Sequence, residues 1–261
     1  MQYGKISAAT CLVVALIICA CRESKSRQVL STGASGSDRE PVRLIVEDAE
    51  GLPSELPWKY GDYLDPSSHD CILAKSDLML GGFMTWSFYG GQFEGTEIAI
   101  KNLLFFFAMN PDHIRPMMRE LQDFDPKLVQ ELKNNRKGCV VGQERLKLIN
   151  KSVGDEFKLA SVTHKGIDLE FEVIGLLPAG LYEQSAIMNV SYLREALANY
   201  KRKTGQQHPQ ADKSLNLIYL RAVDRDAAQR LIKQIESAPQ LATPPLRCQV
   251  EEEYLKALAG Q

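Results

Sequence analysis

The sequence predicts an α+β fold, a sheet layer backed by helices. Short apolar runs rich in β-branched residues, at 43–46, 138–141, 171–175 and 215–222, have the length and flanks of strands. Segments of helical period lie between and after them. The clearest spans 224–236, with Ala228, Leu231, Ile232 and Ile235 on one face. A chain of 261 residues with 44% apolar content can also bury a sizeable core, in one or two domains.

In chain order, residues 6–21 form an uncharged apolar run behind a single Lys5. As a helix it would span about 24 Å, short of the roughly 30 Å hydrocarbon core, which suits a signal-peptide apolar region better than a transmembrane helix. Its end, Ile18-Cys19-Ala20-Cys21, resembles the lipobox of bacterial lipoproteins, with Cys21 as the lipidation candidate and Cys19 where a small residue is usual. The alternatives are a retained membrane anchor, against which Arg22, Lys25 and Arg27 on the far side argue, and a buried helix. Residues 1–21 are thus a signal or anchor segment, and 22–41, rich in Ser and Gly, a flexible linker. The folded body is expected over 42–258.

Within the body, 43–46 is a strand and 59–64 a short helix. Residues 71–80 are apolar enough for a second strand, and 83–93, punctuated by Gly81-Gly82 and Gly90-Gly91, read as strand and turn. Residues 97–109 resemble a strand buried on both faces. Pro111 opens a helical stretch. Asp125-Pro126 opens another over 127–134, with Asp at the N-cap and Pro at the first helical position. Residues 138–197 give strand, amphipathic helix, a Val-Gly-Asp turn, two strands, a loop, and strand into helix. Residues 201–213 are a charged loop, 215–222 a strand, 224–236 a helix, and 251–258 a final short helix.

A net charge of −2 with scattered basic residues gives no footprint for nucleic acid. Outside the N-terminal run, Cys71, Cys139 and Cys248 show no zinc spacing and read either as unpaired buried thiols or as one disulfide with one thiol left over. His69-Asp70-Cys71 is the one tight group of metal-capable side chains, but adjacent strand residues point to opposite faces and rarely converge on one ion. His113, His164 and His208 stand singly in polar surroundings and read as surface residues. Glu251, Glu252 and Glu253 read as a solvated helix start. There is no GxSxG elbow, phosphate loop or HExxH. The chain is therefore expected not to be an enzyme and to need no cofactor or metal. The aromatic segment reads either as core or as an apolar partner surface, with Trp86, Phe88, Tyr89 and Phe93 as the contact candidates.

Several of these motifs stand in a recognisable order. Arg43-Leu44-Ile45-Val46 precedes Leu56-Pro57-Trp58-Lys59-Tyr60. Met84-Thr85-Trp86 and Tyr89-Gly90-Gly91 precede Phe106-Phe107-Ala108-Met109-Asn110-Pro111. After them come 138–142, Val153-Gly154-Asp155, Phe171-Glu172-Val173-Ile174-Gly175 and Tyr192-Leu193-Arg194-Glu195-Ala196. In this order the body resembles the extracytoplasmic core domain of MacB/FtsX-type ABC transporter permeases. The resemblance implies a two-lobed periplasmic core domain, one lobe α+β and one mostly β, without catalytic residues. It implies a membrane-anchored, extracytoplasmic protein of the bacterial envelope that couples to an export or efflux system by protein contacts. Its partners would be ABC ATPase and permease subunits or a periplasmic adaptor. The three further membrane helices of the family do not follow in this sequence, which puts transport by this chain alone in doubt. The alternative reading is a free-standing lipoprotein that binds an apolar ligand or an envelope protein.

Overall fold

The computed structural model describes residues 40–259 apart from 52, 98 and 181. The apolar run, Cys21 and nearly all of the linker lie outside the described residues. The strands are β1 (Val42–Asp48), β2 (Leu78–Phe93), β3 (Leu103–Met109), β4 (Gly138–Gly142), β5 (Glu156–Ser161), β6 (Leu169–Leu177), β7 (Ala186–Asn189), β8 (Leu217–Ala222) and β9 (Leu246–Val250). The helices are α1 (Trp58–Leu64), α2 (Ile114–Met117), α3 (Pro126–Asn134), α4 (Gln143–Leu148), α5 (Val190–Thr204), α6 (Arg225–Ser237) and α7 (Glu251–Ala259). The fold is α+β, built on one large mixed sheet.

The sheet is organised by β2. Its first half pairs antiparallel with β8, β8 with β1, and β1 with β9. From Ser87 onward β2 pairs with β3 on one side and β5 on the other. The ladder continues from β3 to β7, β7 to β4, β4 to β6 and β6 back to β5. Six strands therefore close into a ring, which removes their open edges.

Side-chain alternation along the strands sorts the apolar residues into three cores. Leu44, Val46, Ile218 and Leu220 pack under α1 and the Ala228, Leu231 and Ile235 face of α6. On the opposite sheet face, Ile45, Met84, Trp86, Leu217 and Tyr219 pack with α2, residues 118–132 and outward-facing Val140 and Ile187 of the ring. The ring interior holds Tyr89, Leu104, Phe106, Phe157, Phe171 and Met188. Phe106 and Phe171 stack there at 4.3 Å, and Val190, Leu193 and Leu197 of α5 pack onto this core.

Local chemistry sets the helix ends. Asp125 accepts the Lys127 N–H at 2.8 Å to start α3, and Asp224 accepts that of Ala227 at 2.7 Å to start α6. Helix α5 runs into the expected loop at 201–213 and stops at Gly205, whose φ of +76° is left-handed.

Two expected strands are shorter than read. Residues 71–74 are irregular, and the 3-10 turn Lys75–Asp77 precedes β2, with Asp77 held by Arg230 at 2.7 Å. Residues 100–102 form a 3-10 turn, so β3 starts at Leu103. Conversely, residues 83–93 contain no turn. Gly81 and Gly82 sit in an irregularity of the β2–β8 register, while Gly90 and Gly91 lie inside a continuous 16-residue strand.

Gly142 joins β4 to α4, and a Cβ there would lie 2.0 Å from the Glu183 carbonyl oxygen. Backbone cannot yield as a flexible side chain can. Gly142→Ala is expected to cost about 2 kcal/mol or more of stability by overpacking, read as a lowered thermal midpoint. An unchanged midpoint would contradict this packing of the 178–185 loop.

Candidate functional site

The four aromatic candidates do not form one surface. Trp86 and Phe88 point to one side of β2, and Tyr89 and Phe93 to the other. Trp86 is 6% exposed, between Phe107 and Tyr219 at ring distances of 4.8 and 4.7 Å. Tyr89 is fully buried inside the ring, where its hydroxyl donates to the Ile167 carbonyl at 3.0 Å and burial pushes its pKa up. Half-buried Phe88 packs on Phe107, and half-buried Phe93 on Phe157. For Trp86 and Tyr89 the contact-surface reading is thereby corrected: they are core.

The histidine reading also changes. His164 and His208 are buried and face each other, and His113 is half-buried; only His69 of the four is exposed. Cys71, Cys139 and Cys248 are unpaired, with Cys71 half-exposed and the other two buried. Burial pushes the Cys139 and Cys248 thiols up, which leaves them poor nucleophiles. No group of three or more metal-capable side chains converges among the described residues.

What the fold assembles instead is an open cleft of about 390 Å³ at the point where β2 changes partners. Helix α1 supplies one wall with Trp58 and Asp62, and Asp65 follows just beyond it. Phe83 and Thr85 of β2 form the floor, and the turn at 110–113, Lys133 and the first turn of α5 complete the rim. Two asparagine caps shape that rim. Asn110 accepts the Asp112 N–H at 3.1 Å. Asn189 accepts the Ser191 N–H at 2.9 Å and donates to the Leu132 carbonyl at 3.1 Å, which ties α5 to α3.

Arg194 lies over the Trp58 ring at 4.4 Å, while the indole N–H donates to Ser214 at 2.9 Å. Lys133 pairs with Asp112 at 2.8 Å. His113 meets Phe83 edge-on, and burial lowers its pKa. The cleft thus offers Asp62 and Asp65 beside α1, Arg194 stacked on Trp58, and Lys133 already paired with Asp112. That arrangement can hold a polar polypeptide segment, since charges at a wet rim set register and partner choice more than affinity.

A second constellation joins the two ends of the described body. Arg43 on β1 is 8% exposed and donates from Nε to Glu251 at 2.6 Å and from Nη1 to the Met117 carbonyl at 2.6 Å. Its other nitrogen, Nη2, also pairs with Glu251. Arg221, directly across the ladder from Arg43, donates to the Pro116 carbonyl at 3.0 Å. Glu251 is therefore not simply a solvated residue at a helix start. The signal in the sequence was an arginine inside an apolar strand run.

No family model matches the chain, and no curated protein matches it. No helix among the described residues is long and apolar enough to cross a membrane.

Arg194→Ala is expected to change the emission of Trp58, while Trp86, the other tryptophan, keeps its buried spectrum. The stability cost of losing this exposed stacking contact should stay below about 1 kcal/mol. An unaltered spectrum would show that Arg194 does not cover Trp58 in solution.

Proposed function

We propose that this chain is the extracytoplasmic domain of an ABC-transporter permease-like protein of the MacB/FtsX core type. It is held to the bacterial membrane through its N-terminal segment and couples to an export or envelope system by protein–protein contacts. The observation that carries this reading is the division of β2. One half belongs to an antiparallel sheet backed by helices, the other to a closed, mostly β ring. In this reading the two halves of β2 correspond to the α+β lobe and the mostly β lobe that the resemblance implies.

The adjacency of β1 and α7 gives further support. Arg43 and Glu251 bind the start of the body to the first residue of its last helix, which anchors the strand from which the N-terminal tether leaves. The cleft that Trp58 and Arg194 help to line is the partner-contact site in this reading, and a segment of an ATPase-linked permease subunit or a periplasmic adaptor is its occupant. Energy comes from the partner ATPase. Lipidation at Cys21 supplies the tether.

The test is cross-linking from a benzoylphenylalanine placed at Ser191 on the cleft rim, in native membranes, with the captured chains identified by mass. The expected products are an ABC permease subunit or its adaptor, reduced when Arg194 and Lys133 are both changed to Glu. Cross-links to neither, with the chain recovered alone from membranes, would contradict the proposal.

A further inference from the structure

His164 and His208 come from segments remote in the chain. His164 lies in the connection from β5 to β6, and His208 in the segment that leads from α5 to β8. The two rings are 3% and 4% exposed, and their centroids are 6.2 Å apart. His164 also stacks on Tyr89 at 6.1 Å, and Tyr200 meets His208 edge-on at 4.9 Å.

The hydrogen bonds fix the tautomer of His208 and tie His164 to Thr163. His208 Nδ1 accepts the Gln210 N–H at 3.1 Å, so its proton sits on Nε2, which faces the Lys165 carbonyl at 3.2 Å. A second proton would set two donors against each other at Nδ1. His164 Nδ1 lies 2.9 Å from the Thr163 hydroxyl, whose oxygen already accepts the Gly90 N–H. The Gly90 carbonyl, 3.4 Å from the same hydroxyl, is a second acceptor for its proton. Burial, and next the neighbouring His208, hold the His164 pKa down at about 4, against an ordinary 6.5.

The groups facing the pair do not offset a positive charge. Glu55 and Lys213 line with His164 a cavity of about 50 Å³, so their charges oppose. Lys165 flanks His164, and the Asp168 carboxylate accepts the Ser161 N–H. Tyr89, its pKa pushed up by burial, is a neutral phenol. Among the described residues no carboxylate is hydrogen-bonded to either imidazole.

We propose that His164, buried against His208, works an acid-operated latch: neutral, it lets the pair pin segment 205–214 to the β5–β6 connection, and on acidification His164 takes up a charge that no bonded carboxylate offsets and releases the segment. The released segment ends at Ser214, which holds the Trp58 indole, so opening also frees one wall of the cleft. The sign follows from linkage. A ring whose pKa is lowered in the closed state stabilises closure fully above pH 6.5 and loses that contribution as the pH falls toward 4.

Amide exchange on the full chain at pH 7 and pH 5, corrected for the intrinsic pH dependence of exchange, tests this. Through His164 alone, opening should become about twentyfold more frequent at pH 5. The loss of protection should be confined to 162–168 and 205–214, with β4 and β7 unchanged. In His164→Phe/His208→Gln the pH dependence of that segment should disappear. Equal protection at both pH values, a uniform loss across all strands, or an unchanged dependence in the double variant would overturn the proposal. Should the double variant not fold, ring-proton NMR of the unaltered chain decides: a His164 titrating at its ordinary 6.5 overturns it, and one titrating near 4 supports it.

Discussion

One strand feeds every core of this protein. Phe83 of β2 enters the layer under α6, Met84 and Trp86 enter the opposite layer, and Tyr89 enters the ring. The same 16 residues hydrogen-bond first to β8 and then to β3 and β5 at once. Paired on both sides, the strand has little room for side chains at 90, on the outer face of the ring, and at 91, on its inner face, and both positions are glycine. A Cβ on Gly90 would stand 2.5 Å from the ring of Phe105, its cross-strand partner, and one on Gly91 would stand 2.7 Å from Leu159. The Phe105 ring occupies the space that Gly90 leaves, a common remedy for glycine in a sheet.

The second organising contact is polar. Arg43 sits in a strand whose neighbours Leu44 and Ile45 are fully buried, and desolvating a guanidinium is costly unless its donors are filled. Here Glu251 and the Met117 carbonyl fill them, and the adjacent Arg221 fills the next carbonyl of the same turn. A buried pair of this kind contributes position more than net stability. It fixes where α7 begins and where the helical segment after β3 ends.

Much of the secondary structure was legible in the sequence. The Asp125-Pro126 start of α3 and the apolar face of α6 appear where cap chemistry and helical period put them. The stretch 138–197 does as well, since its strands are short and bounded by Gly and Asp. What escaped was long-range. Gly90-Gly91 reads locally as punctuation, but the pair is a device of ring closure visible only once β3 and β5 are in place. His164 and His208 look like surface residues because their neighbours in sequence are polar, while their neighbours in space are Tyr89 and Tyr200. The aromatic segment left core and surface both open, although period-2 alternation alone divides Trp86 from Tyr89. The cleft draws on α1, β2, α3 and α5 together, and no local motif marks it.

The cleft and all three cores draw on β2, so the antiparallel sheet and the ring are joined through one shared strand. Equilibrium unfolding in denaturant tests this most directly, followed together by tryptophan fluorescence and by amide exchange in β4 and β7. The shared strand predicts a single midpoint for the antiparallel sheet and the ring. Two separate midpoints, with the β1–β8–β9 layer melting while the ring persists, would contradict it.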